Sequence, residues 1–205
     1  MDLVTLQSKL KKGGVNQANI GIYSPILFKY FTQENFTDED IYRFLANALN
    51  ETGCFTVMRE NLFYTTPERL VAVFPSIFKN TKYNPNDYVK NAQKLANFVY
   101  DSRVFPQKAS LGNNQDGDGF KYRGGGFFQT TGRSGFTTLS KVSGIDFISN
   151  SDLIIQPEYA VRSAVEFWKF FKLGTKPNLT EVRRVIGGSL FGLQEVTNYY
   201  NKIRG

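Results

Sequence analysis

The run from Thr37 to Gly53 leaves little choice of local structure. Thr37 followed by Asp38-Glu39-Asp40 is a helix start: a side-chain oxygen and acidic first-turn residues answer the unpaired backbone amides there. Ile41, Phe44, Leu45, Ala48 and Leu49 then recur at helical spacing. Gly53 stops the helix. At about 100° per residue, Glu51 falls at the edge of that apolar stripe, partly withdrawn from water. A second glutamate, Glu60, follows nine residues later in an aromatic-rich stretch.

The rest of the chain reads as mostly helical. A short helix is expected over 3–12, closed by Gly13-Gly14, and Pro25 opens an apolar segment from Ile26 to Phe31. Residues 54–64 suit a short strand or extended lobe. A helix is expected over 86–102, with Tyr88, Ala92, Leu95, Ala96 and Val99 inward, and a loop over 106–119. Pro157 starts a helix that should bury Ala160, Ala164, Phe167, Trp168 and Phe171 and end at Gly174. A last pair, over 180–187 and 190–203, is separated by Gly187-Gly188. The fold class is therefore mainly α, with at most a small β element. A length of 205 residues suits one domain over 1–205, with 1–35 as a helical extension packed on it.

Composition limits the chemistry. The chain has no histidine, which removes the commonest general base, the commonest zinc ligand and the usual partner of a nucleophilic Ser or Cys. Carboxylates are left to move protons, and no metal or other cofactor is expected. Cys54 is alone, so no internal disulfide forms, and it reads as a small buried hydrophobe. Aromatics make up 15% of the chain; most Phe suit a core, and a few Tyr suit a sugar-stacking face.

In Met1 to Lys12 the charges follow the short apolar stretch, which is not the pattern of a signal peptide. No apolar run reaches the roughly 18 residues of a membrane span. The expectation is a soluble chain made in the cytoplasm, without stable membrane insertion, whose export needs another protein or cell rupture. The net charge of +7 suits an anionic polymer. The basic residues are scattered and no RNP, zinc-finger or helix-turn-helix signature occurs, so nucleic acid is not the expected partner.

Two constellations carry the chemistry. Most glutamates nine apart are solvated surface charges. Glu51 and Glu60 differ because one ends an apolar helix and the other lies among aromatics. Glycoside hydrolysis needs one protonated carboxyl and one ionised carboxylate, and unlike environments supply that difference. The second constellation, Gly119 to Arg133, is rich in glycine, yet lacks the Gly-Lys-Ser/Thr of a phosphate loop and the strand before a dinucleotide fingerprint. It reads either as a tight turn against a helix or as a cleft wall presenting Gln129 and Thr131.

Together these stretches resemble glycoside hydrolase family 19, the chitinase-like enzymes, and particularly its bacteriophage endolysin branch. Asn50-Glu51-Thr52-Gly53-Cys54-Phe55 stands for the family's His-Glu-Ser/Thr-Gly-Gly-Phe, and Glu60 to Tyr64 for its Glu-Asn-Leu-x-Tyr. Tyr122 to Arg133 matches Tyr-Arg-Gly-x-Gly-x-x-Gln-x-Thr-Gly-Arg. Phe74-Pro75, Asn97 to Tyr100, Gln156-Pro157 to Trp168 and Arg183 to Gly188 match in order and spacing. The resemblance implies a lysozyme-like, two-lobed helical fold with a cleft, and an inverting mechanism. It implies Glu51 as general acid, Glu60 with Thr131 as activators of the attacking water, and Tyr64, Arg123 and Gln129 on the sugar sites. Asn50, Gly135 and Ile186 depart from the family pattern, each losing a polar group expected near the cleft.

The resulting expectation is an endolysin that hydrolyses the β-1,4 glycosidic bond of peptidoglycan as a muramidase. It would be a monomer, released to the cell wall with the help of a holin. The alternatives are a chitinase acting on N-acetylglucosamine polymers and a catalytically impaired glycan-binding or virion protein.

Overall fold

A computed structural model describes residues 1–79 and 81–205. Eleven α-helices are found among them: α1 (Leu3–Gly13), α2 (Gln17–Gln33), α3 (Asp38–Thr52), α4 (Pro67–Val73), α5 (Pro75–Phe78), α6 (Ala92–Val99), α7 (Asp118–Lys121), α8 (Gly132–Ser143), α9 (Pro157–Phe170), α10 (Leu179–Gly187) and α11 (Leu193–Arg204). Short 3-10 turns lie between several of them, including Pro106–Leu111. No strand occurs among the described residues; Arg59, Gly125 and Thr130 make isolated bridges only. The mainly helical fold is the one the sequence implies. None of the helices is long and apolar enough to cross a membrane.

The described residues divide into two compact units. The first comprises Met1–Met58, Gly125–Gln129 and Leu139–Gly205; the second comprises Arg59–Gly124 and Thr130–Thr138.

In the first unit α3 is fixed at both ends by its own sequence. Thr37 accepts from the Asp40 amide and Asp40 returns a bond to the Thr37 amide, and Gly53 closes the helix in the left-handed region. Its inner face buries Ile41, Phe44, Leu45, Ala48 and Leu49. The Phe44 ring meets Phe31, Phe128 and Trp168 at 5.1, 5.0 and 5.7 Å between centroids. Phe55 stacks on Phe127 at 4.6 Å. Residues 1–35 are built into this core through Leu6, Leu10, Ile20, Leu27 and Phe31.

In the second unit Leu62, Leu70, Ile77, Phe78, Leu95, Ala96, Val99 and Phe105 form a separate cluster. Gly119 of α7 lies directly against α6. A Cβ added there would fall 2.2 Å from the Ala96 carbonyl oxygen and 2.7 Å from the Asn97 Cα. Both are backbone atoms that no rotamer change can move aside. Gly119→Ala should therefore destabilise this unit by about 1–3 kcal/mol or more. Urea unfolding checks this, and an unchanged midpoint would refute the tight crossing.

Four local expectations are corrected. Pro25 lies inside α2 and does not open a segment. It forfeits one helical bond, but Ile20, Tyr23, Leu27 and Phe31 of the same helix are buried. That burial outweighs a proline penalty of about 3 kcal/mol. Of the short strand or extended lobe expected over 54–64, no strand forms: 60–64 are in neither helix nor strand, and the segment opens on Gly53, Cys54 and Phe55, all with positive φ (53°, 58° and 65°), which coils the chain leftward. This strained turn is held by Cys54 and Phe55 amide bonds to the Leu49 carbonyl (2.9 Å) and Thr52 Oγ1 (2.9 Å). The helix expected over 86–102 starts only at Ala92, because Lys90 is left-handed (φ 56°) and Asn91 caps the helix through the Lys94 amide. The helix from Pro157 ends at Phe170 and not at Gly174, and Phe171, just beyond it, is exposed while its ring lies 4.4 Å from that of Phe167.

Candidate active site

Glu51 sits in the last turn of α3 with 17% of its side chain exposed, ion-paired with the Arg183 guanidinium, which is 5% exposed. The Asn50 amide approaches the same carboxylate oxygen at 3.4 Å. Arg183 comes from α10, where Leu179, Val182, Arg183 and Ile186 occupy the stripe positions of one helical face. A cation at such a position needs a buried partner, and Glu51 is that partner. Arg183 Nε also donates to the Phe191 carbonyl at 2.9 Å. Asn50, Glu51, Arg183, Phe191, Gly192 and Glu195 line a cavity of about 430 Å³. Gln129, the other expected site residue of the first unit, has φ 46°. Its side-chain amide donates to the Val57 and Gly126 carbonyls at 3.2 and 3.3 Å.

In the second unit the Glu60 carboxylate accepts from the Tyr100 hydroxyl at 2.6 Å and from the Gly124 amide at 3.2 Å. Its own amide donates to the Gly124 carbonyl at 2.8 Å. The residue is thus clamped through both main chain and side chain. Burial, and then the charge of Glu60, hold the Tyr100 hydroxyl far above the usual phenol range, so it stays a donor. Lys108 Nζ lies 5.0 Å from the centre of the Tyr100 ring. Burial pushes the Lys108 ammonium down, and the Glu60 charge opposes that shift. Burial raises Tyr64 as well, with the Glu60 charge second and Arg69 opposing. The Arg123 guanidinium donates to the Phe120 carbonyl at 2.7 Å and covers the Phe120 ring at 4.0 Å.

Thr131 is half-buried immediately before α8. The turn that carries it is pinned by residues whose roles the sequence did not disclose. Buried Asn113 accepts from the Arg133 amide at 2.8 Å and donates to the Tyr100 carbonyl at 3.0 Å. Buried Asp118 takes two bonds from the Arg133 guanidinium, at 2.8 and 2.5 Å. Asn113 thereby links the residue that holds Glu60 to the turn that holds Thr131.

Within the second unit, then, Glu60 and Tyr64 interact, and Glu60 bonds the backbone beside Arg123. Glu51 and Gln129 belong to the first unit. Arg183 and Tyr100 were missed as site residues. An arginine on an apolar helical stripe was one signal for the first, and both stand in stretches that match the family pattern, Arg183 to Gly188 and Asn97 to Tyr100, where the match by itself assigns no role.

Over 163 residues the chain is 30% identical to a glycosyl hydrolase family 19 domain-containing protein of Haemophilus influenzae, covering 78% of this chain and 76% of that protein. No family model matches. At that identity and coverage the chain belongs to glycosyl hydrolase family 19.

Proposed function

We propose that the protein is a peptidoglycan hydrolase that cleaves the glycan β-1,4 bond as a muramidase, with inversion. Glu51 protonates the leaving oxygen. Glu60, with Thr131, activates the attacking water, and Tyr64, Arg123 and Gln129 contact the sugars. The observation that carries this reading is a carboxylate, Glu51, lining a cavity in a chain of glycosyl hydrolase family 19, with a second carboxylate, Glu60, clamped by the Tyr100 hydroxyl and the Gly124 amide. Glu51 must carry a proton when sugar is bound, so its contact with Arg183 has to loosen in the working complex.

In the biological setting proposed, the protein is a monomeric phage endolysin, made in the host cytoplasm and released to the wall with a holin. The net charge of +7 supports approach to anionic wall polymer. Mass spectrometry of digested sacculi tests the bond. New reducing ends on N-acetylmuramic acid are expected; ends on N-acetylglucosamine, or turnover of chitin oligomers alone, reject the muramidase assignment.

A second reading, a glycan-binding protein without turnover, is favoured by the Arg183–Glu51 pair, which occupies the proposed acid. Sacculus binding without release of soluble fragments would support it.

A further inference from the structure

We infer that Phe191 is a stacking platform for one N-acetylhexosamine ring, seated in the cavity that Glu51 and Arg183 line. The inference rests on Glu51 being a catalytic carboxyl, and it names the residue that grips the sugar beside it.

Phe191 is 87% exposed. Single exposed apolar side chains are common, so exposure alone carries nothing. Its position does. The Phe191 carbonyl accepts from Arg183 Nε at 2.9 Å, and its amide donates to Ser189 Oγ at 3.2 Å. The same Arg183 holds Glu51. Gly192 then turns the chain into α11 with φ 76°. A Cβ at that glycine would stand 3.2 Å from the Asn50 amide nitrogen and 3.4 Å from Arg183 Nη2. A left-handed residue therefore draws the loop close against Asn50 and Arg183, and Phe191, almost fully exposed, is one of the residues that line the cavity.

The walls match the chemistry of a pyranose. A sugar ring has an apolar C–H face and a polar hydroxyl edge. Phe191 offers the aromatic surface for the first. Asn50 and Glu195 offer a donor and an acceptor for the second. The Asn50 contact with Glu51 is long, at 3.4 Å, which leaves that amide able to turn toward a ligand. A cavity of about 430 Å³ is within the usual range for small-ligand sites.

The test compares Phe191→Ala and Phe191→Trp in the full chain. The readout is steady-state hydrolysis of a soluble β-1,4 N-acetylglucosamine hexamer and of solubilised peptidoglycan strands. The alanine variant should raise KM about tenfold, with kcat within about twofold, equivalent to about 1.4 kcal/mol of lost binding. Tryptophan should restore KM, and neither variant should shift the melting temperature, because the side chain is exposed. An unchanged KM overturns the inference. So does a fall in kcat at fixed KM that tryptophan fails to rescue, which would mark a structural effect passed through Arg183. If the unmodified protein turns over neither glycan, the hydrolase reading fails separately. Calorimetric titration with the hexamer then decides the platform by the same tenfold criterion, now in Kd.

Discussion

Glu51→Gln is expected to reduce release of soluble fragments from sacculi by about 10²–10⁴-fold, the contribution typical of a positioned general acid. Glutamine keeps the side chain's size and can still accept from the Arg183 guanidinium. It has no proton to give a departing oxygen. The guanidinium keeps a hydrogen-bond acceptor but loses its counter-charge, so a stability loss of about 1–3 kcal/mol should accompany the rate loss. A small loss in stability beside a large loss in rate is the signature of a chemical role. Initial rates of sacculus solubilisation and a thermal melt, measured on the same preparation, separate the two. Full activity in the variant would remove Glu51 from the reaction. Sacculus binding should persist, because the loss belongs to the transition state and not to the grip on the glycan.

Where the sequence was legible, each element carried its own signals. α3 has a capping box, an apolar stripe and a terminal glycine, and its boundaries match the reading. α1 and α10 are of the same kind, each ending at a left-handed glycine, Gly14 and Gly188. What misled were backbone choices imposed by packing. Lys90 and the pair Cys54-Phe55 adopt positive φ against residue preference. Phe55 does so because its ring belongs in the stack with Phe127. Pro25 survives inside α2 because tertiary burial outweighs local propensity.

The site divides along the same line. Glu51 and Glu60 could be singled out from neighbouring residues. Arg183 lies 132 positions from Glu51, and Tyr100 lies 40 from Glu60. No local pattern links residues that far apart. The sequence could show only that Arg183 sits where an apolar side chain belongs, which calls for a counter-ion without naming it.

Arg183→Met should be the most destabilising single change at the site, at about 3–5 kcal/mol. The cation is 5% exposed, and its removal leaves a half-buried carboxylate without its counter-charge. It also frees the Phe191 carbonyl, so the loop over 188–192 loses its tie to α10. For a chain of this length each kcal/mol lowers the melting temperature by about 2–4 °C, which gives a drop of roughly 6–20 °C. Lysine should not rescue it, since one ammonium cannot reach both the carboxylate and the carbonyl with the geometry of a guanidinium fork. The decisive comparison adds Glu51→Gln to Arg183→Met. If the damage is an uncompensated charge, the double variant should be more stable than Arg183→Met alone, with a coupling of about 0.5–3 kcal/mol. Additive losses would instead mean that Arg183 supports the fold through Phe191 and its packing. Glu51 would then sit beside the cation without depending on it, and a proton on the acid would need no opening of the pair. Whether that coupling is present therefore decides whether the contact must break before the glycosidic bond does.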